Sequence, residues 1–125
     1  MEGVVVEAEV VGGNRLGRKL GFPTANMNIS DRADIANGVY RSQIEVNGRL
    51  YAAMSNAGVR PSVDGSGRWL ETHIFDFDGD LYGQRLKVWL LDKIRDEKKF
   101  DSVTQLREQL ERDMNYCKTY IEKVK

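Results

Sequence analysis

The sequence predicts a mainly β protein: a small antiparallel barrel with one helix packed against it. Three observations predict it. Five apolar-rich or alternating stretches between residues 3 and 94 are separated by glycine, asparagine and aspartate turn signals. One of those signals, Asn47-Gly48, has the chemistry of a tight hairpin. Beyond residue 101 the apolar spacing changes from two residues to three and four, the period of a helix.

Residues 3–11 are valine-rich, with one turn signal at the start, and read as a strand. GGNRLGRKLGFPTANMNIS follows at 12–30, a glycine-rich segment with Arg15, Arg18 and Lys19 ahead of Thr24 and Asn26. GVYRSQIEV and RLYAAM flank Asn47-Gly48 as the two arms of a hairpin. The NAGVRP stretch and a small-residue loop, DGSG at 64–67, lead to RWLETHIFDFD, which alternates as a strand does. On it Trp69, Glu71, His73, Phe75 and Phe77 share one face, and Leu70, Thr72, Ile74 and Asp76 share the other. DGDLYG punctuates the chain, and QRLKVWLLDKI is the last strand. From about 102 to 124, Val103, Leu106, Leu110, Met114, Cys117, Ile121 and Val124 fall on one helical face, with Arg107, Glu108, Glu111 and Arg112 opposite. Ser102 and Gln105 fit a capping box at its start. Cys117 lies on the apolar stripe and reads as packing, not as a nucleophile.

The 125 residues make one domain, with no linker, repeat or low-complexity segment. Nineteen basic residues balance nineteen acidic ones, whereas nucleic-acid binders draw affinity from a basic excess, so no nucleic-acid partner is expected. A single cysteine rules out an internal disulfide and points to a reducing, cytoplasmic setting. There is no signal-like or membrane-spanning apolar run. One His and one Cys do not make a zinc site of the usual kind, so a metal here is hard and oxygen-bound, as magnesium is.

The glycine-rich segment is neither a P-loop, since Leu20 follows Arg18 and Lys19, nor a dinucleotide fingerprint, since the strand–helix context is missing. Its N–H groups and basic side chains are able to cradle phosphates. Thr24 and Asn26, two residues apart on extended backbone, offer a hydroxyl and an amide oxygen on one side, the donor set magnesium takes when phosphates complete its shell. The plainer reading is a surface loop whose Thr24 and Asn26 satisfy turn groups. Glu71, among aromatics, is either an exposed strand glutamate or a carboxylate buried as a base.

The ordered set GRKLGFPTANM, NGVY, SNAGVRPSV, ETHIFDFDGDLYGQRLKV and IRDEKKFDSVTQL resembles the motifs of the riboflavin kinase family over nearly the whole chain. The resemblance implies a six-stranded antiparallel Greek-key barrel, strands about 3–94, with a C-terminal helix at about 102–124. It implies Mg²⁺-dependent transfer of the ATP γ-phosphoryl group to the 5′-hydroxyl of riboflavin, giving FMN and ADP. Glu71 matches the catalytic carboxylate, Thr24 and Asn26 the magnesium and nucleotide ligands, and Gly12 and Arg18 further nucleotide-binding positions. Ile74, Asp76, Tyr82, Arg95, Lys98 and Phe100 match flavin-contacting positions, the last three forming a flap. Bacterial relatives commonly carry such a module fused to an FAD-making adenylyltransferase. The alternatives are a flavin- or nucleotide-binding regulatory barrel without catalysis and an oligonucleotide-binding barrel. One tension accompanies the match: Glu71 and Ile74 have opposite parity, which a bulge or a backbone-mediated contact would remove.

Overall fold

The computed structural model describes residues 3–11, 24–62, 65–77 and 79–124. Six strands are followed by one helix: β1 (Val4–Glu9), β2 (Thr24–Asn28), β3 (Gly38–Val46), β4 (Arg49–Ser62), β5 (Gly65–Ile74), β6 (Arg85–Arg95) and α1 (Val103–Val124). They form one sheet in the order β1-β6-β3-β4-β5-β2, every neighbouring pair antiparallel. The sheet curls until its outer strands approach one another, where Val11 bridges to Asn26 and its N–H donates to the Asn26 carbonyl at 2.8 Å.

The local chemistry accounts for most of the boundaries. Asn47 and Gly48 take φ of 52° and 81°, the left-handed pair that a two-residue hairpin needs, and Val46 pairs with Arg49 across them. β4 runs further than the hairpin arm read from sequence: NAGVRP continues the strand, and β5 starts at Gly65, inside the expected loop, with Ser62 paired to Gly65. β2 was not anticipated as a strand of its own. It alternates nonetheless, with Ala25, Met27 and Ile29 buried in the core and Asn28 exposed. β5 ends at Ile74, earlier than the alternation suggested. Asp76 adopts φ of 56° in the turn beyond it, a conformation that aspartate tolerates better than most residues. That turn sends Phe75 and Phe77 to different clusters, so the two do not share a face.

Inside the curl lies the main core, with Val6, Met27, Ile44, Val46, Leu70, Ile74 and Val88 among its members. Each such buried side chain contributes about 1.5–3 kcal/mol. A chain of hydroxyls crosses the same side of the sheet, Ser42 to Ser55 at 2.8 Å and Ser55 to Thr72 at 2.7 Å, so these buried polar groups satisfy one another.

The outer side of the sheet carries the helix. Leu110 and Cys117 pack on Val39, Met54 and Phe75, with Leu106 and Met114 beside them. Ser102 accepts from the Gln105 N–H at 3.1 Å, while the Gln105 side chain reaches back to the N–H of Asp101, one residue before the expected partner. Val103 does not share the buried stripe: it lies in the exposed first turn. Two helix residues that the apolar pattern passed over, Gln109 and Asp113, are buried.

Candidate functional site

Register brings the polar residues together. β2 runs beside β5 so that Thr24 pairs with His73 and Asn26 with Glu71. β4 flanks β5 on its other side, pairing Asn56 with Glu71 and Met54 with His73. Directly paired residues in antiparallel strands project to the same side. Asn26, Glu71 and Asn56 therefore stand in a row across three strands, the carboxylate between two amides, and Thr24 and His73 lie one step along. The row is on the outer side of the sheet, next to the helix seat made by Val39, Met54 and Phe75.

Glu71 is almost buried and lies with Oε1 3.3 Å from the Nε2 of His73, itself 3% exposed. Asn26 is buried and Thr24 half-buried. One side of this group thus holds a hydroxyl, an amide and a carboxylate within neighbouring strand spacings of about 4.8 Å. Among the described residues no three of His, Cys, Asp and Glu are grouped to hold a metal ion. A cation here would rest on the neutral oxygens of Thr24 and Asn26 and on a ligand's own oxygens, which suits a hard divalent ion.

The other expected positions are distributed differently. Gly12 and Arg18 lie outside the described residues. Ile74 is 1% exposed and belongs to the inner core, so its side chain faces away from Glu71. Pairing on both sides of β5 is continuous through Glu71, which removes the bulge as an explanation for their opposite parity. Asp76 is exposed in the turn after β5. Tyr82 is exposed in the turn before β6. Gly83 donates from that turn to the Val10 carbonyl at 2.8 Å, next to the Val11–Asn26 bridge.

Arg95 is held by the helix. Its Nε and Nη2 donate to the Asp113 carboxylate at 2.8–3.2 Å and its Nη1 to the Asp96 carbonyl at 3.0 Å, while Gln109 donates to Asp113 at 3.0 Å. Lys98 is exposed and Phe100 half-buried in the strap that follows. Gly58, two residues along β4 from Asn56, leaves the space that the Glu97 carboxylate of this strap occupies.

Sequence reasoning missed Asn56 and Arg68. Arg68 donates to the carbonyls of Arg32 and Ile35 and to the Asn37 side chain, so it ties the β2–β3 connection to the start of the site strand. No local signal marked Asn56: its place opposite Glu71 follows from the β4–β5 register, in which Ser62 pairs with Gly65.

A family model described as riboflavin kinase matches residues 2–121. Over 112 residues the chain is 38% identical to a bifunctional riboflavin kinase/FMN adenylyltransferase of Haemophilus influenzae, covering 89% of this chain and 36% of that protein. It is 39% identical over 112 residues to the RNA-binding riboflavin kinase RibR of Bacillus subtilis, covering 89% of this chain and 48% of that protein. A solved structure described as a macrolide-efflux protein from Streptococcus pneumoniae superposes with a TM-score of 0.81 at 41% identity, covering 93% of this chain and 38% of that one. The chain thus spans between a third and a half of the length of these relatives.

Proposed function

The chain belongs to the riboflavin kinase family, and we propose that it carries out that family's reaction, transferring the γ-phosphoryl group of ATP to the 5′-hydroxyl of riboflavin to give FMN and ADP. The observation that carries this reading is the β2–β5 register, which sets Asn26 against Glu71 and Thr24 against His73.

Phosphoryl transfer of this kind depends on alignment and charge neutralisation far more than on covalent help. Glu71 takes the proton of the 5′-hydroxyl as its oxygen bonds to the γ-phosphorus and the bond from that phosphorus to the β-phosphate bridging oxygen breaks. His73, 3.3 Å away, fixes the orientation of the carboxylate. Thr24 and Asn26 would hold Mg²⁺ by their side-chain oxygens; the ion, when bound, would offset the charge of the triphosphate. Gly12 and Arg18 complete the nucleotide side. Tyr82, Asp76, the backbone at Ile74, and the strap with Lys98 and Phe100 form the flavin side, closing over it to exclude water. Arg95 anchors that strap to the helix through Asp113.

A binding barrel without catalysis would have no need of a nearly buried carboxylate between two amides. RNA binding stays with the Bacillus relative, since basic and acidic residues are equal in number here. No described helix is long and apolar enough to cross a membrane; the lone cysteine is buried and has no second cysteine to pair with, and a reducing, cytoplasmic setting is part of the proposal. In relatives of the bifunctional kind, FMN from this step is the substrate class that an adenylyltransferase consumes. The test is direct: incubation with riboflavin and Mg-ATP, followed by chromatography, yields FMN and ADP in equal amounts. An absence of FMN refutes the reading.

A further inference from the structure

The Asn56 side chain faces the candidate base, and its Oδ1 accepts no hydrogen bond among the described residues. It stands beside Glu71 in the row, and that oxygen is buried. A buried amide oxygen without a donor destabilises a fold, and its persistence calls for an explanation in function. Its neighbours explain nothing structurally: Asn56 pairs across β4 and β3 with Val39, which belongs to the helix seat.

Position narrows what the oxygen is for. Asn26 and Asn56 lie on opposite sides of Glu71, two strand spacings or about 10 Å apart at the backbone. Two ligands of one Mg²⁺ sit about 2.1 Å from the ion, so amides this far apart do not share it. The Thr24–Asn26 side is the metal and phosphate side, which leaves Asn56 on the side from which a phosphoryl acceptor reaches Glu71. An amide is uncharged and has one accepting and one donating end, and a hydroxyl answers either. A polyol matches that chemistry; a phosphate oxygen, unable to donate, does not.

We propose that Asn56 is a substrate-binding residue that hydrogen-bonds a hydroxyl of the acceptor's polyol chain and so presents the reacting hydroxyl to Glu71. This rests on the kinase reading and assigns a residue that the family resemblance left without a role. In the ligand-free fold the oxygen is out of contact with solvent. Substrate reaches it by displacing the exposed strap, whose Glu97 lies over Gly58 on the same side of β4.

The test compares the full chain with its Asn56→Leu variant, which keeps the branched shape and heavy-atom count and removes the amide. Riboflavin dissociation constants are read from flavin fluorescence with Mg-ADP present, alongside urea midpoints. The proposal expects riboflavin affinity to fall about tenfold, the worth of one such hydrogen bond, with ADP affinity unchanged and the urea midpoint equal or higher. A structural role would give the opposite pattern, a lower midpoint with riboflavin affinity retained, and would overturn it. A second measurement needs no variant: among riboflavin analogues each lacking one ribityl hydroxyl, one loses about tenfold in affinity for the wild-type chain. Uniform affinity across them overturns the proposal. FMN formation by the wild type alongside either adverse result sinks this assignment alone, whereas no FMN from the wild type sinks the kinase reading and this with it.

Discussion

Removing the Asp113 carboxylate tests how the strap is held. Asp113 is 3% exposed and takes three hydrogen-bond contacts from Arg95, whose side chain is 19% exposed, plus one from Gln109. Asp113→Ala leaves the guanidinium facing an empty, mostly dry site. Breaking a buried pair from one side costs about 3–5 kcal/mol. Arg95 keeps some access to water, which lowers the expectation to about 2–3 kcal/mol. Unfolding entropy near 2.1 cal/mol/K per residue over 125 residues is about 0.26 kcal/mol per degree, so Tm should drop by about 8–11 °C. Urea denaturation followed by tryptophan fluorescence measures the loss. A companion variant, Arg95→Met, keeps the apolar stem and deletes the charge. Combined with Asp113→Ala it should recover about half of the loss, because no stranded charge remains. A coupling energy below about 0.5 kcal/mol in this cycle would refute the view that the pair anchors the strap to the helix.

Glu71→Gln should leave fold and ligand affinity intact while lowering turnover by roughly a hundredfold or more, the ordinary worth of a general base; wild-type turnover would remove Glu71 from that role. Arg68→Met should cost about 2 kcal/mol, because the carbonyls of Arg32 and Ile35 and the Asn37 side chain lose a charged donor together; an unchanged urea midpoint would show that the β2–β3 connection holds itself. Burial, with the charge of Asp113 adding to it, pushes the Cys117 thiol from near 9 up to about 12. The neutral thiol is therefore favoured in the folded state, so its contribution is complete below pH 9 and is lost as pH rises toward 12, by up to about 1.4 kcal/mol per unit. Cys117→Ala should flatten that alkaline limb, and equal alkaline slopes would refute the assignment.

Turn chemistry and period made much of this fold readable in advance. Asn47-Gly48 announced its hairpin because few other dipeptides take two left-handed residues cheaply. The helix announced itself through Leu106, Leu110, Met114 and Cys117. β2 was harder to see, since a five-residue strand with Thr24, Asn26 and Asn28 on one side carries only Ala25 and Met27 as apolar signal. Asp113 was invisible to the apolar pattern because a charge is buried only where a distant partner arrives, here Arg95 from the end of β6. Within the site, parity alone separated Glu71 from Ile74, while the approach of Asn26 and Asn56 from either side depends on pairings between remote strands.

The same alternation ties the chemistry to the stability of the sheet. On β5, Leu70, Thr72 and Ile74 fill the inner side while Glu71 and His73 stand on the outer. A one-residue slip against β4 would drive the carboxylate and imidazole into the core, expose two large aliphatic side chains and break the Ser55–Thr72 hydrogen bond at once. Arg68, bound to the carbonyls of the β2–β3 connection just before these residues, opposes the same slip from the strand's other neighbour. The alignment of Asn26, Glu71 and Asn56 therefore needs no dedicated bonds among the three. It is enforced by what the opposite side of the strand would lose, which leaves the outer row free to keep an amide oxygen without a partner among the described residues.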